Sequence, residues 1–175
     1  PAAGSLDETI ELARLEASSG VPVHIGHQRR FDVGFRRAQE AVASGELGFA
    51  HTIRANTHDQ APPPAEFIAT SGGIFRDCLV HDADAVRFLT GREVASVFAV
   101  GANKGAAYFA EQGDVDTGAA VLTLDDGTIA VLSTSRYNGA GQDVRMEVLG
   151  ERGSVGIGYD HSLALRSTEP GADYP

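Results

Sequence analysis

Apolar and polar positions follow two rhythms along this chain. The first half is mainly helical. Leu6, Ile10, Ala13 and Ala17 recur at helical spacing, Ser5 or Asp7 can cap them and Gly20 can end them, which predicts a helix over Leu6–Ser19. Val21 to Gly26 reads as a short strand, with Pro22 at its first position where a missing donor does no harm. Phe31 to Ser44 reads as a second helix. Phe49 to Thr57 alternates as a strand, and Ala61-Pro62-Pro63-Pro64 makes a stiff loop without backbone donors. Ser71-Gly72-Gly73 is a tight turn, and Phe75 to Leu89 is a third helix stopped by Thr90-Gly91.

From there the period changes to two. Strands are expected at Val94–Ala102, Gly118–Leu124, Thr128–Ser135, Val144–Leu149, Ser154–Gly158 and Ser162–Arg166. Asp125-Asp126-Gly127 joins two of them through a hairpin turn. The fold class that follows is α+β: a largely antiparallel open sheet, a meander in this second half, with helices packed on one face. A helix–strand–helix unit precedes it, as at the end of an alternating α/β segment.

Charge narrows the partners. Acidic residues number 24 against 14 basic ones, a formal charge of −10, so the chain lacks the clustered cations that nucleic acid or an anionic membrane requires. No apolar run is long enough to span a bilayer. Cys78 is the single cysteine, which rules out an intrachain disulfide and a cysteine-built zinc site and fits a reducing, cytoplasmic compartment. Cys78 itself reads as a small apolar filler. Lys104 is the one lysine, so lysine chemistry must use it or come from elsewhere.

Candidate chemistry concentrates in Gly72-Gly73-Ile74-Phe75-Arg76-Asp77-Cys78-Leu79-Val80-His81-Asp82-Ala83-Asp84. Asp77, His81 and Asp84 stand at i, i+4 and i+7, one face of a helix. A carboxylate one turn before a histidine can bond the ring, fix its tautomer and prepare it as a general base. The paired glycines allow backbone to approach a ligand closely. Asp77 is equally accounted for by the dipole of the first helical turn. Asp77, His81 and Asp84 could also hold a divalent ion, although no fourth ligand is indicated. Gln28-Arg29-Arg30 follows the opening strand at its C-terminal edge, where open α/β sheets bind ligands. Arg29 offers a planar fork for oxygen-rich groups, or else belongs with Arg30, Arg36 and Arg37 to a solvated helical face. Asn56-Thr57-His58-Asp59 is a polar strand end. Gly153-Ser154-Val155-Gly156-Ile157-Gly158 fails the dinucleotide fingerprint because no helix follows it.

These blocks resemble the glucose–fructose oxidoreductase / inositol dehydrogenase (Gfo/Idh/MocA) family. Gly72-Gly73-x3-Asp77-x3-His81-x2-Asp84 is similar to its substrate-domain motif, and Val23-x-Ile25-Gly26-His27-Gln28-Arg29-Arg30-Phe31-Asp32 to its domain crossing. Ala61 to Ile68 followed by Ser71 to Asp77 is closest to the inositol 2-dehydrogenase branch. The resemblance covers roughly residues 1–158. It implies an NAD(P)-dependent dehydrogenase that oxidises a cyclitol or sugar hydroxyl to a ketone. Residues 1–30 would be a remnant of the dinucleotide-binding domain and crossover, and 31–175 a substrate-binding and oligomerisation domain. Pro1 looks like the proline of the family's Glu-Lys-Pro motif, which would put the nucleotide domain and a catalytic lysine upstream and leave this chain inactive alone.

By the same resemblance His81 is the general base, Asp77 orients it and touches the polyol, and Asp84 is a packing or capping partner. Gln28 and Arg29 line the cofactor side, while Arg29, His58 and Asp59 face the sugar. The implied cofactor is NAD or NADP, the partners a small polyol or sugar and further copies meeting through the open sheet face. No metal is implied. Ala140-Gly141-Gln142-Asp143 stands where inositol dehydrogenases tend to carry Tyr-Gly-Tyr-Asp, so a related sugar or cyclitol stands beside myo-inositol. A non-catalytic sugar-binding or oligomerisation module of the same fold is the second reading, and a metal-dependent hydrolase a third.

Overall fold

The computed structural model describes residues 2–159. The expected strand at Ser162–Arg166 lies outside them, as does Pro1. Helix α1 (Leu6–Ser19) forms where the periodicity puts it. The Ser5 hydroxyl accepts from Glu8 N, and Gly20 closes the helix in the left-handed region. None of its residues is buried.

The expected strand at Val21–Gly26 does not form. The segment is extended, but no described strand pairs with it, and Val21, Val23 and Ile25 stay exposed. Extended backbone becomes a strand only when a neighbour satisfies its ladder. A single 3-10 turn follows (Gln28–Phe31), so the second helix starts later than expected: α2 spans Val33–Ala43, with Asp32 accepting from Gly34 N and Phe35 N.

Among the described residues the sheet has six strands: β1 (Ala50–His58), β2 (Val94–Ala102), β3 (Thr117–Leu124), β4 (Ile129–Ser135), β5 (Asp143–Gly150) and β6 (Ser154–Ile157). Their spatial order is β2-β3-β4-β1-β5-β6. β2, β3 and β4 form the expected meander, turned between β3 and β4 at Asp125-Asp126-Gly127. The meander then stops. β1 inserts between β4 and β5, parallel to β4 and antiparallel to β5. A crossover strand of this kind leaves no mark on local periodicity, because its partners lie more than seventy residues away.

Helix α2 and the helix after Gly73 cover one face. The core between them holds Phe35, Ala38, Leu79, Val86 and Leu89 from the helices and Ile53, Leu122, Leu132, Met146 and Val148 from the sheet. In β1, Ile53, Ala55 and Thr57 point inward, and in β4 Ala130, Leu132 and Thr134 do the same. Two short helices were not visible in the pattern: α3 (Ala65–Ser71), which the proline run starts, and α5 (Tyr108–Glu111).

The third helix is divided. Phe75–Leu79 is a π turn, and regular α4 runs from Val80 to Thr90. Such one-turn bulges rotate the side chains that follow and cluster at functional sites. Gly73, at φ 90°, sets up this turn, and a Cβ there would stand 3.1 Å from Asp114 Oδ1. Asp114 accepts from Ile74 N at 3.0 Å. Gly73 is therefore packed on the protein's own Asp114, while Gly72 closes α3 in the left-handed region beside Arg76. Gly73→Ala is expected to cost about 1–2 kcal/mol, through the left-handed penalty and the displaced Asp114 contact, measured as a shift in the urea midpoint.

Candidate functional site

Because β1 and β4 are parallel, their C-terminal ends lie side by side, and antiparallel β5 begins beside them: His58 is in register with both Ser135 and Asp143. The polar segments 57–60, 136–142 and 77–81 therefore meet at one edge of the sheet. They surround a cleft of about 1060 Å³, into which Asp59, Asp77, His81, Arg136 and Gln142 open. Gln28 stands at its mouth with an exposed side chain.

Arg136 lies one residue beyond β4 and is 2% exposed. Its Nη1 donates to Asp59 Oδ2 at 3.0 Å and its Nη2 to Asp77 Oδ2 at 2.7 Å. Nη1 also lies 2.9 Å from Cys78 Sγ. Cys78 is thus not simply apolar filler: it lines the cleft and packs on a guanidinium. Burial nevertheless pushes its thiol up to about 12, against the pull of Arg136, so it is not a nucleophile. Gln142 Nε2 donates to Asp59 Oδ1 at 3.3 Å.

Beneath this layer is a second network. Arg29 donates from Nη1 to Asp82 and from Nη2 to Thr57, and the Thr57 hydroxyl donates to Asp82 Oδ2 at 2.8 Å. Asp82 is fully buried and Arg29 nearly so. Burial raises the Asp82 carboxyl, and Arg29 and Thr57 pull it back in part. Arg29 lines the cleft as expected, but both terminal nitrogens face inward. It is not a free fork for substrate oxygens or cofactor phosphates, because a guanidinium buried this deeply needs a carboxylate of its own.

His81 is half-buried and opens on the cleft. Burial lowers its pKa below 6.5, and the charges of Arg29 and His27 lower it further, against Asp82. Both effects favour the neutral imidazole over the imidazolium. The expected Asp77–His81 hydrogen bond is not formed among the described residues; Asp77 turns to Arg136 instead. The π turn explains this, since an i, i+4 pair stacks only when the intervening turn is α-helical.

His58 is displaced from its expected place. It alternates with Thr57 in β1, so it lies on the opposite face of the sheet, where its Nε2 is 2.9 Å from Ser133 Oγ and its Nδ1 3.9 Å from Asp143. Burial lowers its pKa as well, opposed by Asp143. Thr57 and Asp59, which share the inward parity, reach the site instead. Asp84 pairs with Arg30 through two bonds of 2.9 and 2.6 Å and lies 3.5 Å from His27. Asp77, His81 and Asp84 therefore do not converge on a metal, and among the described residues no cluster of three or more such side chains is arranged to hold one.

The residues missed from the sequence are Arg136, Asp82 and Thr57, with Gln142 noticed only as a departure. Parity was the available signal. Leu132, Thr134 and Arg136 continue one inward face, as do Ala55, Thr57 and Asp59.

Comparison with known proteins agrees with this architecture. The C-terminal domain of the GFO/IDH/MocA family matches residues 35–156. A myo-inositol dehydrogenase of Streptomyces leeuwenhoekii is 44% identical over 155 residues, 89% of this chain and 48% of that protein. The crystal structure of a probable dehydrogenase from Thermotoga maritima superimposes with a TM-score of 0.86 at 36% identity, over 90% of this chain and 48% of that one. A scyllo-inositol dehydrogenase from Lactobacillus casei, crystallised with NAD(H) and scyllo-inositol, does so with a TM-score of 0.74 at 35% identity, over 86% of this chain and 46% of that one. The chain spans about half the length of the curated relatives it matches. With a family match over most of its described length and a shared six-stranded architecture, the chain belongs to the GFO/IDH/MocA family and carries its C-terminal domain.

Proposed function

We propose that this chain is the substrate-binding half of an NAD-dependent dehydrogenase that oxidises a hydroxyl of a cyclitol or related sugar to a ketone, with residues 31–175 as the substrate domain and His81 as the general base. The observation that carries it is the half-buried imidazole of His81, opening on the same cleft as the carboxylates of Asp59 and Asp77, with burial lowering its pKa. Acceptors and a base suit a substrate that offers hydroxyl donors. The relative crystallised with scyllo-inositol and NAD(H) supports the choice of substrate and cofactor.

In this reading a substrate hydroxyl donates to an imidazole nitrogen of His81, which takes the proton as the carbinol carbon loses hydride and the C=O bond forms. NAD, when bound, supplies the hydride acceptor. Asp77 and Asp59 accept from neighbouring hydroxyls and fix the ring in the cleft. Gln28, exposed at the mouth, fits a cofactor-facing position; Arg29 does not, because its fork is spent on Asp82 and Thr57. Arg29 instead holds β1 to α4 behind His81. His58 is left out, since it lies behind the sheet.

The test joins this chain to the nucleotide-binding half of the Streptomyces relative and measures NADH formation over a panel of inositols and sugars. Polyol-dependent reduction is expected. A fusion that folds and binds NAD but reduces it with no member of the panel would contradict the reading. The reading places the protein in the cytoplasm; no helix among the described residues is long and apolar enough to cross a membrane.

The second role, assembly, has its own observation. Phe98, Val121 and Val131 stand in one register row on the sheet face away from the helices, and Phe98 is 67% exposed. A row of this kind is suited to a second copy of the sheet. Phe98→Glu is expected to shift the sedimentation coefficient from oligomer to monomer at matched concentration, and a wild-type chain that sediments as a monomer throughout would remove this role.

A further inference from the structure

Arg136 has no counterpart in the expectations drawn from the motif, yet it is the most buried charge at the cleft. Its planar fork gives one terminal nitrogen to Asp59 and the other to Asp77, two residues that reach the cleft from different elements. Each bond uses the Oδ2 atom. Asp77 Oδ1 then has no partner among the described residues, and Asp59 Oδ1 has only the 3.3 Å contact from the Gln142 amide. Both carboxylates line the cleft and remain about one-quarter exposed.

We propose that Arg136 is the positioning residue of this site: it holds the Asp59 and Asp77 carboxylates side by side, with one oxygen of each aimed outward as a paired acceptor for two neighbouring substrate hydroxyls. The proposal deepens the dehydrogenase reading above and rests on it for the identity of the ligand. Two carboxylates brought this close repel, and without a shared cation one of them turns away or protonates. A guanidinium can serve both because its nitrogens diverge in one plane, whereas an ammonium offers a single point of charge. Burial under Cys78 and β4 keeps the fork from rotating, so the acceptor pair is set before substrate arrives and its ordering cost is not met at binding.

A second consequence concerns charge. Both arginines at the cleft, Arg29 and Arg136, are committed to carboxylates. This wall offers no spare cation and two outward acceptors, so it favours neutral vicinal diols over sugar acids and sugar phosphates.

The test uses Arg136→Lys and Asp59→Asn in the chain joined to the nucleotide-binding half of the Streptomyces relative, with myo-inositol and a series of mono-deoxy inositols as probes. Arg136→Lys is expected to raise KM for myo-inositol by roughly tenfold or more, the loss associated with charge-assisted bonds, with a smaller change in kcat. The penalty should shrink to roughly two- or threefold for the deoxy compound that lacks a hydroxyl received by the pair. A merely structural ion pair would penalise every probe alike, and that outcome, or an unchanged KM, would overturn the proposal. Asp59→Asn breaks one arm from the partly exposed side and should show the same dependence on probe, should Arg136→Lys fail to fold. A crystal structure of Arg136→Lys separates the proposal from the dehydrogenase reading. Asp77 and Asp59 parted in the variant support the clamp even if no polyol is turned over, and carboxylates that stay in place contradict it even if turnover is normal.

Discussion

His81→Ala is expected to lower kcat by about 10²–10⁴ in the NAD-binding fusion, the range removed with a general base, while the protein keeps its fold. The side chain is half-buried and makes no hydrogen bond among the described residues, so its loss takes little from stability and the defect is chemical. The pH profile of the parent follows with a definite sign. A base works only when deprotonated, so kcat/KM rises with pH through the His81 pKa. Burial, then Arg29 and His27, hold that pKa below 6.5, with Asp82 opposing. The acid limb should therefore have its midpoint below 6.5 and be flat at neutral pH. In His81→Ala the residual rate should lose that limb. A variant with full turnover, or a parent limb well above 6.5, would remove His81 from the mechanism.

Asp82→Ala carries the second large expectation, and it concerns stability. Asp82 is fully buried and is the counter-charge to Arg29. Its removal leaves a guanidinium buried with only the Thr57 hydroxyl, so the loss is expected to be about 3–5 kcal/mol in urea unfolding. The network ties the turn Gln28–Phe31, strand β1 and helix α4 together behind His81, so the variant's damage should include lost polyol turnover where it still folds. The exposed pair Arg87–Glu93 is the control: it also forms two bonds, of 2.8 and 2.7 Å, but in solvent, and Glu93→Ala should leave the urea midpoint nearly unchanged. Equal effects at the two sites would contradict the importance assigned to the buried network.

Much of this was legible along the chain because it is local. The cap and stop of α1, the hairpin at Asp125-Asp126-Gly127 and the five later strands within 94–157 each depend on a few neighbouring residues. What escaped depends on partners distant in sequence. Val21–Gly26 has strand composition but no partner strand among the described residues, and β1 takes its place in the sheet only when β4 and β5 close around it. The site divides the same way. His81, Asp77 and Asp59 stand out as polar groups in a motif or at a strand end, whereas Arg136 becomes meaningful only once the sheet edge brings 59, 77 and 136 together, and Asp82 only once Arg29 and Thr57 close on it. His58 shows the cost of reading a polar cluster without its parity: one residue along a strand is the other side of the sheet. The Asp77–His81 bond failed for a related reason, since α-helical spacing was applied across what is a π turn.

The most direct measurement is a crystal structure of the NAD-binding fusion with NAD and myo-inositol bound. An inositol is expected in the cleft at the C-terminal ends of β1 and β4, with one hydroxyl oxygen within hydrogen-bond reach of a His81 ring nitrogen and two others on Asp59 and Asp77. Inositol bound on the outer sheet face beside His58 and Ser133, or in the cleft with His81 turned away from every hydroxyl, would contradict this placement.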